Sequence, residues 1–486
     1  MSLPVLLPQP RSVDEKEGTF TITEGTRIVT DRPELGDYLA SVLRPATGYE
    51  FAVSAGAAAE GDIVLEINAE AASSAGNQAE AYRLVVDGRN VIIDAPADAG
   101  LFAGIQTLRQ LLPVEIESRT PASARWEVPA VTIVDAPRFA YRGVMLDIAR
   151  HFFGVDTIMQ LIDNVAAYKI NHLHLHLSDD QGWRIEIPGW PELTRSGAES
   201  QVGGGDGGFL TTSDYEQIVH YAASRFITVV PEIDMPGHTN AAMVAYPELA
   251  PDGAKPTPYT GIAVGFSSFS IEADVTYRFI EDVVGHIASL TPGPFFHLGG
   301  DESLATKDED YCTFMSRASR IVTSHGKTPV GWHEIGTCAD LAPGTVGQYW
   351  SYRVPQDGAD DQAVSIVRQG GALILSPADA VYLDIMPESG FRLGLEWTGA
   401  PTPLSQVADW DPATLVPSVG EENILGIETP LWTETVETAA DIDALIFPRL
   451  LAVADMAWAD AVSNSETRVR ALLPRLDAAG VQYGPA

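Results

Sequence analysis

The sequence of 486 residues is poor in cysteine and in basic residues, and each scarcity excludes a class of protein. The two cysteines, Cys312 and Cys338, are too few for a disulfide framework and lack the CxxC spacing of metal sites. They could pair with each other, but we expect free, buried thiols. Acidic residues outnumber basic ones by 66 to 30, which gives a net charge of −36. Because so acidic a chain repels nucleic acid and anionic membranes, we expect neither as a partner.

The sequence also lacks long apolar segments and nucleotide-binding motifs. No apolar run approaches the roughly 18 residues that a membrane-spanning helix needs. Residues 1–8 do not combine a basic region with a long apolar one, so they do not resemble a signal peptide. We therefore expect a cytoplasmic protein, or a secreted one whose leader has been removed. Neither a GxGxxG motif nor a P-loop is present, and we expect no cofactor.

Residues 1–135 are predicted to form a separate α+β domain. The Asp-Gly-Arg turn at 87–89 lies between two alternating segments and predicts a β-hairpin. An amphipathic helix is predicted over 97–112. The other predictions are strands at 19–23, 27–30, 62–68, 81–86 and 90–94 and a helix at 34–43. Since no group of catalytic residues occurs here, we expect a structural role, with a linker following at 129–137.

From residue 136 to residue 486 the pattern alternates between strand and helix. The predicted strands are 143–148, 171–177, 226–233, 295–298, 328–332, 345–350, 372–376 and 423–429. The predicted helices are 155–168, 213–224, 271–289, 311–324, 439–458 and 465–479. About eight strands in roughly 350 residues favour an α/β fold: a (β/α)8 TIM barrel with insertions, preceded by the small α+β domain. An open, doubly wound sheet is the alternative, but no nucleotide motif supports it.

The densest group of chemical residues lies at the end of the fourth barrel strand, in the segment FFHLGGDE at 295–302. Its two glycines allow a tight turn, and Asp301 and Glu302 follow where the strand leaves the sheet. In such barrels the carboxyl ends of the strands usually carry the catalytic groups. The pair alone could instead cap the next helix, because acids favour a helix N-terminus.

Other strand ends, and the loops beyond them, carry more carboxylates and aromatic side chains. Taken singly, each could be a packing aromatic or a solvated acid, and only their shared position at the strand ends indicates a functional site. Aromatic faces stack on sugar rings while carboxylates and arginine bind hydroxyl groups, so the pattern predicts a carbohydrate site. The residues are Arg150, Asp179, His238, Trp332, Trp350, Tyr382, Asp384, Trp397, Trp432 and Glu434.

The adjacency of Asp301 and Glu302 constrains the mechanism. Ordinary glycosidases place two carboxylates on opposite sides of the scissile bond, about 5 Å apart or more. Neighbouring residues of an extended chain point to opposite sides, so this pair cannot easily act as nucleophile and acid on one bond. One acid could protonate the leaving oxygen while the other steadies a different group on the sugar.

A metal site is the main alternative chemistry. His172, His174 and His176 alternate along one strand and face the same side. The outer two lie roughly 13 Å apart, so all three cannot share one ion with bonds of about 2 Å. A set of His174 and His176 with Asp179 and His238 stays open as an alternative. We favour histidines that line the barrel interior, hydrogen-bonded to one another and to acids, and we expect no metal.

Five motifs make this region resemble the family 20 β-N-acetylhexosaminidases. They are RGVMLDIARHFF at 142–153, NHLHLHLSDDQGW at 171–183, PEIDMPGH at 231–238, HLGGDE at 297–302 and PLWTET at 430–435. Their order and their spread over the whole barrel argue against a chance match, and the preceding domain is similar to the small domain that family members carry. The insertions at 184–212 and 251–270 are where the substrate range could differ.

The resemblance implies that the substrate's own 2-acetamido oxygen attacks C1 and forms an oxazolinium ion. Glu302 would then be the general acid and later the general base, while Asp301 would orient the acetamido nitrogen and stabilise its positive charge. By the same matching, Tyr382 would bind the acetamido oxygen, and Trp332, Trp350 and Trp432 would wall the acetyl pocket. Arg150, Asp384 and Glu434 would bind sugar hydroxyls, Trp397 would stack on the sugar or the next unit, and Asp179 and His238 would support the acids.

The leading hypothesis is an exo-acting, retaining β-N-acetylhexosaminidase, a monomer or a homodimer. It would remove terminal GlcNAc or GalNAc from a small-molecule or oligosaccharide substrate. The alternatives are a non-catalytic carbohydrate-binding protein on the same scaffold and a metal-dependent barrel hydrolase. On the leading hypothesis Glu302 is protonated near neutral pH, so burial or a nearby negative charge should raise its pKa while Asp301 stays ionised.

Overall fold

The computed structural model describes residues 3–72, 79–460 and 464–486, and the first part of the chain forms a seven-stranded mixed sheet. Its strands are β1 (Ser12–Thr21), β2 (Ile28–Thr30), β3 (Val53–Ser54), β4 (Ile63–Ile67), β5 (Tyr82–Val86), β6 (Val91–Ala95) and β7 (Glu127–Asp135). They lie in the order β1-β7-β5-β6-β4-β2-β3. Helix α1 (Pro33–Thr47) contacts β2 and β3, and the almost wholly buried α2 (Asp98–Leu111) packs on β5 and β6. The predicted hairpin is the antiparallel pair β5 and β6.

The second part of the chain forms a closed barrel of eight parallel strands, which confirms the predicted TIM barrel and rules out the open sheet. The strands are β8 (Tyr141–Asp147), β9 (His172–His176), β10 (Thr228–Glu232), β11 (Phe295–His297), β12 (Thr328–Trp332), β13 (Val346–Tyr349), β14 (Leu373–Leu375) and β15 (Ile424–Leu431). Strand β15 pairs with β8 and so closes the ring. The carboxyl ends of all eight strands therefore meet at one mouth.

Helices surround the barrel and occupy its longer loops. They are α3 (Val155–Ala166), α4 (Glu192–Arg195), α5 (Thr212–Ala223), α6 (Asn240–Ala245), α7 (Asp274–Leu290), α8 (Asp308–Ser324), α9 (Ala359–Arg368), α10 (Ala378–Val381), α11 (Leu404–Val407), α12 (Ala439–Ile446), α13 (Arg449–Trp458) and α14 (Ser465–Ala479). Among the described residues, the helices are all too short or too polar to cross a membrane. Helix α5 begins with a reciprocal capping box between Thr211 and Asp214.

Two predictions about chain continuity are wrong. The segment 129–137, predicted as a linker, is mostly β7, which pairs with both β1 and β5 inside the sheet. The single helix predicted over 439–458 is two helices, because the chain leaves the helical conformation at Phe447 and Pro448. Proline lacks the N–H that a helix interior requires, so the break falls there. The division of the chain at 135/136 stays a prediction.

The expectation of free cysteines is also wrong, because Cys312 and Cys338 form a disulfide. Cys312 lies on α8, which follows β11, and Cys338 lies in the turn after β12. Since β11 and β12 are parallel neighbours, the fold brings the two Cα atoms to 5.0 Å, a separation that a disulfide spans. Counting cysteines could not show this, because the contact depends on the order of strands around the barrel.

A buried polar cluster joins the first sheet to the barrel. Asp135, at the end of β7, has a fully buried carboxylate that accepts hydrogen bonds from Trp458 Nε1 at 3.0 Å and from the Tyr82 hydroxyl at 2.7 Å. Its Oδ2 atom lies 3.2 Å from Lys169 Nζ, which is also buried. Burial lowers the pKa of Lys169, and Asp135 opposes that effect. The carboxylate therefore neutralises a buried cation that water cannot reach.

We expect Asp135→Ala to destabilise the protein by about 3–5 kcal/mol, because it leaves the Lys169 ammonium buried without its counter-charge. Urea unfolding followed by tryptophan fluorescence measures the loss. The matched control is Asp14→Ala on β1, whose side chain is 63% exposed and pairs with exposed Lys16. This control should change the free energy of unfolding by less than about 0.5 kcal/mol. Equal effects of the two substitutions would contradict the expectation.

Candidate active site

The two adjacent acids lie at the mouth of the barrel, directly after β11. The chain reaches them through Gly299 and Gly300, both with positive φ (+65° and +97°). A side chain at Gly299 would overlap Asp234 Oδ1, and the Gly300 N–H donates to that same oxygen at 3.0 Å. Glycine is therefore required there both by conformation and by space. Glu302 itself has φ +41°, a conformation that non-glycine residues rarely adopt and that is often found at active sites.

One histidine lies against both acids. His238 Nε2 is 3.8 Å from Asp301 Oδ2 and 3.8 Å from Glu302 Oε2. On its other side, His238 Nδ1 pairs with Asp179 Oδ1 at 3.1 Å. Asp179 Oδ2 lies 2.9 Å from Arg150 Nη2 and 2.9 Å from His176 Nε2. The structure thus connects the five predicted residues of this group and the neighbouring His176 in one charged network that ends at the two acids.

The charges in this chain are set by burial and by the neighbours. Burial opposes the charged form of Asp179, but the Arg150 guanidinium and His238 hold the pKa of Asp179 well below its usual range. Burial likewise opposes a charged His238, yet the carboxylates of Asp179 and Asp301 raise its pKa well above the ordinary value. Burial and the charge of Asp301 raise the pKa of Glu302, as the sequence predicts for a general acid.

Aromatic side chains wall a pocket beside the acids. Trp332 and Trp432 have ring centroids 5.8 Å apart, and Tyr382 lies 6.5 Å from Trp432 and 6.4 Å from Trp350. Trp397 stands edge-on to Tyr382 at 5.8 Å and is 43% exposed, so it forms the outer edge of the pocket. All five aromatic residues predicted for the site therefore lie together. Rings on several sides can enclose a small apolar group such as a methyl.

The far end of the site is polar. Trp397 Nε1 donates to Asp384 Oδ2 at 3.3 Å, and the Arg150 guanidinium lies 4.8 Å above the Trp432 ring. Burial and the nearby charge of Glu434 raise the pKa of Asp384 to about 8, and burial raises the pKa of Glu434. Among the described residues, several buried atoms here lack a hydrogen-bonding partner: Arg150 Nε, Asp301 Oδ1, Asp384 Oδ1 and Glu434 Oε2. Such atoms point to a polar ligand that would satisfy them.

Two residues of the site, Glu334 and Asp234, were not predicted from the sequence. Glu334 accepts hydrogen bonds from Trp350 Nε1 at 2.9 and 3.0 Å, and burial together with Asp301 raises its pKa to about 8. It stands just after β12, so the strand-end argument that identified Trp332 applied to it as well. Asp234 holds the Gly299–Gly300 turn, and burial with Asp301 raises its pKa well above the ordinary value. Asp234 lies inside the motif at 231–238, and this position could have identified it as a site residue.

The histidines of β9 line the barrel interior, as predicted, but they bond to acids rather than to one another. His174 lies 2.8 Å from Glu428 Oε1 and 3.0 Å from Glu232 Oε2, and His176 lies 2.5 Å from that same Glu232 oxygen. His172 instead stacks on Tyr141 at 3.9 Å. Histidines and acids in this region lie close enough to hold an ion, as His238, Asp301 and Glu302 do. All four ring nitrogens of His174 and His176 therefore lie within 3.0 Å of a carboxylate oxygen.

Both parts of the chain match the sequence patterns of one family. Residues 3–136 match the pattern described as "Glycosyl hydrolase family 20, domain 2". Residues 139–312 and 303–461 match "Glycosyl hydrolase family 20, catalytic domain". The two patterns together span nearly the whole chain and divide it between the seven-stranded sheet and the barrel.

Individual proteins are similar over the same extent. The β-N-acetylhexosaminidase of Cellulomonas fimi is 40% identical over 461 residues, which cover 93% of this chain and 89% of that protein. The structure of Streptomyces plicatus N-acetyl-β-hexosaminidase with thio-NAglucal superposes with a TM-score of 0.95 at 45% identity, covering 99% of this chain and 97% of that one. The GH20 β-N-acetylhexosaminidase of Streptomyces coelicolor A3(2) gives the same TM-score at 44% identity, covering 100% and 98%.

Proposed function

The chain belongs to glycosyl hydrolase family 20 and is a glycoside hydrolase of the β-N-acetylhexosaminidase type, and from that premise we propose how it acts. It removes terminal β-linked GlcNAc or GalNAc from the non-reducing end of an oligosaccharide or small glycoside. The anomeric configuration is retained, and the nucleophile is the 2-acetamido oxygen of the substrate. No side chain forms a covalent bond to the sugar.

The observation that carries this proposal is the position of the two acids, which are consecutive residues against one histidine. Asp301 and Glu302 are neighbours, and both lie 3.8 Å from the same atom, His238 Nε2. Consecutive acids on one turn differ from the acid and nucleophile of an ordinary retaining enzyme, which stand on opposite sides of the scissile bond. A nucleophile supplied by the substrate removes the need for the second protein carboxylate.

Glu302 and Asp301 have different roles in the reaction. Glu302, with its raised pKa, protonates the glycosidic oxygen while the acetamido oxygen attacks C1 and displaces the leaving group. Asp301 accepts a hydrogen bond from the acetamido N–H and stabilises the positive charge that develops on the oxazolinium ion. Glu302, now ionised, takes a proton from water as that water attacks C1 and restores the acetamido group. The two inversions give net retention.

The roles of the pocket residues are those that the resemblance to the family implies, and the lining of the pocket supports them. Trp332, Trp350 and Trp432 enclose the acetyl methyl, and the Tyr382 hydroxyl donates to the acetamido oxygen. Arg150, Asp384 and Glu434 bind the sugar hydroxyls and would satisfy the unpaired atoms at that end of the site. Trp397, at the exposed edge, stacks on the sugar or the next unit. Asp179 and His238 fix the position and the charge of the acid pair.

Comparing the 4-nitrophenyl glycosides of 2-acetamido-2-deoxy-β-glucose and of plain β-glucose tests this proposal. We expect kcat/KM to favour the acetamido substrate by at least about 10³-fold, because only that substrate carries its own oriented nucleophile. Proton NMR during turnover should show the β-anomer of the released sugar first, and EDTA should leave the rate unchanged. Equal cleavage of the glucoside, or initial release of the α-anomer, would refute the mechanism. Binding without release would favour the non-catalytic alternative.

The pH dependence of kcat/KM should report the influence of Asp301 on Glu302. The acid must be protonated to act, so kcat/KM falls as the pH rises through the pKa of Glu302, which burial and Asp301 raise. In Asp301→Asn the negative charge is gone, so this alkaline limb should move to lower pH. The control is Glu309→Gln, an exposed acid in the first turn of α8, which should leave the limb in place. If the alkaline limb does not move in Asp301→Asn, a group other than Glu302 causes the fall of kcat/KM at high pH.

A further inference from the structure

The carboxyl group of Glu334 is joined to one wall of the aromatic pocket. Both of its oxygens accept from Trp350 Nε1, at 2.9 and 3.0 Å. Burial and the nearby charge of Asp301 raise the pKa of Glu334 to about 8, so the group is largely uncharged at neutral pH. A neutral carboxyl group still accepts a hydrogen bond through its carbonyl oxygen. The proposed reaction gives Glu334 no role, so its contact with Trp350 needs another reason.

The rings around Trp350 leave it room to turn. The centroid of its ring lies 5.5 Å from that of His333, 6.4 Å from that of Tyr382 and 6.2 Å from that of Trp397. Trp350 is only partly buried, and it also lines an open cleft of about 510 Å³. An aromatic side chain that borders open space is held less firmly by packing than one in a closed core. The hydrogen bond from Nε1 is therefore the directional contact that fixes the orientation of the indole.

The turn that carries this carboxyl group is itself held firmly. It is the short turn His333–Thr337, directly after β12. A Cβ atom placed on Gly336 would lie 2.1 Å from the Gln362 carbonyl oxygen, so the turn lies directly against α9. At the end of the turn, Cys338 is tied to α8 by the disulfide with Cys312. An acceptor on so rigid a base can hold its partner in one position.

The same turn also holds the main chain of Trp350. His333 Nδ1 accepts from the Trp350 N–H at 3.4 Å. Burial lowers the pKa of His333 to about 3, so the imidazole is neutral and Nδ1 can accept. Two consecutive residues of the turn therefore bind Trp350 at its main chain and at its indole. A rotation of the indole about its side-chain bonds would break the contact with Glu334 and leave the contact with His333 intact.

We infer that Glu334 is a positioning residue that sets the N-acyl specificity of the enzyme by fixing Trp350 as a wall of the acetyl pocket. The inference rests on the proposed function, in which Trp350 helps to enclose the acetyl methyl. An indole that could turn toward the open cleft would widen the pocket and admit a larger acyl group. The acetamido oxygen would also lose its fixed position relative to C1, so the change reaches the rate as well as the selectivity.

Two 4-nitrophenyl glycosides test the assignment, that of 2-acetamido-2-deoxy-β-glucose and its 2-propionamido analogue. They share the leaving group, so the ratio of kcat/KM for the acetyl substrate to kcat/KM for the propionyl substrate reports how the pocket receives the acyl group. One extra methylene in a close-fitting pocket typically changes kcat/KM by about 10–200-fold. We expect Glu334→Ala to lower the ratio by at least about fivefold, because the unfixed wall yields to the propionyl group. Glu334→Gln should keep the ratio within about twofold of the wild type, because its amide oxygen still accepts from Trp350 Nε1.

The chain offers a matched control in a second pair of carboxylate and tryptophan. On α7, Asp282 Oδ2 accepts from Trp190 Nε1 at 3.0 Å. The Trp190 ring packs on Tyr246 and Phe279, outside the aromatic pocket, so Asp282→Ala should leave the ratio unchanged. If Glu334→Ala does not fold, Glu334→Leu gives the same test, since leucine keeps most of the bulk of the side chain but cannot accept a hydrogen bond.

A double-substitution cycle with Trp350→Phe shows whether Glu334 acts through the indole. Phenylalanine has no N–H to donate, so adding Glu334→Ala to Trp350→Phe should change the ratio by less than about twofold. A full fivefold change in that background would overturn the assignment, as would a Glu334→Ala variant that slows both substrates equally or a Glu334→Gln variant that loses as much selectivity as Glu334→Ala. If the wild type cleaves neither substrate, the proposed function itself fails. If the wild type cleaves them and Glu334→Ala keeps its ratio, only the role of Glu334 fails.

Discussion

Replacing Glu302 by glutamine should lower kcat/KM by about 10²–10⁴-fold for substrates whose leaving group is a sugar or an alcohol. Glutamine has the shape of glutamate but cannot transfer a proton to the glycosidic oxygen. Such leaving groups are strongly basic and cannot depart as free anions, so they depend on that proton. A 2,4-dinitrophenyl glycoside releases a stable anion without protonation, and its cleavage in the first step should therefore suffer much less.

Comparing the two kinds of substrate in Glu302→Gln separates a loss of acid catalysis from a loss of folding. A variant that is simply unfolded loses activity equally on both. The control is Glu309→Gln, an exposed acid in the first turn of α8, which should keep wild-type rates on both substrates. Added azide should also restore turnover of the dinitrophenyl glycoside in Glu302→Gln, because it attacks the oxazolinium without needing the general base. An equal loss on both substrates in a folded variant would assign the acid to another residue.

The barrel could be predicted from sequence because its signal is local. Most of the strands contain a short apolar run followed by polar or aromatic residues, and the segment from Phe295 to Glu302 shows the whole pattern. Every site residue predicted from such strand ends lies at the barrel mouth. Closure of the sheet makes this possible, since it brings together strand ends that are far apart in sequence.

The errors arose where structure depends on contacts between distant segments. The disulfide of Cys312 and Cys338 requires knowing that β11 and β12 are neighbours. The strand β7 was mistaken for a linker because the segment 129–137 begins and ends with proline, a poor strand former, yet the pairing of β7 with β1 and β5 overrides that local preference. Glu334 was missed although it stands just after β12, and its hydrogen bond to Trp350, which follows a different strand, has no signal in the sequence.

The charge that Asp301 carries should matter as much as the proton that Glu302 donates. Asp301→Asn keeps the shape of the side chain but removes the negative charge that would face the oxazolinium ion. Removing one well-placed electrostatic group from an active site typically costs about 10²–10³-fold in kcat, and we expect a loss of at least this size here. Since substrate binding before the reaction involves no positive charge on the acetamido group, KM should change far less than kcat.

The dependence on the acyl group identifies the cause of that loss. Substrates with mono-, di- and trifluorinated N-acetyl groups carry progressively weaker nucleophiles, so kcat of the wild type should fall steadily along the series. In Asp301→Asn each member should be slower still, measured at the variant's own pH optimum so that the altered pKa of Glu302 does not contribute. Glu309→Gln is the control and should follow the wild type throughout. A wild-type rate that does not respond to fluorination would mean that the acetamido oxygen is not the nucleophile, and the charge on Asp301 would then need another explanation.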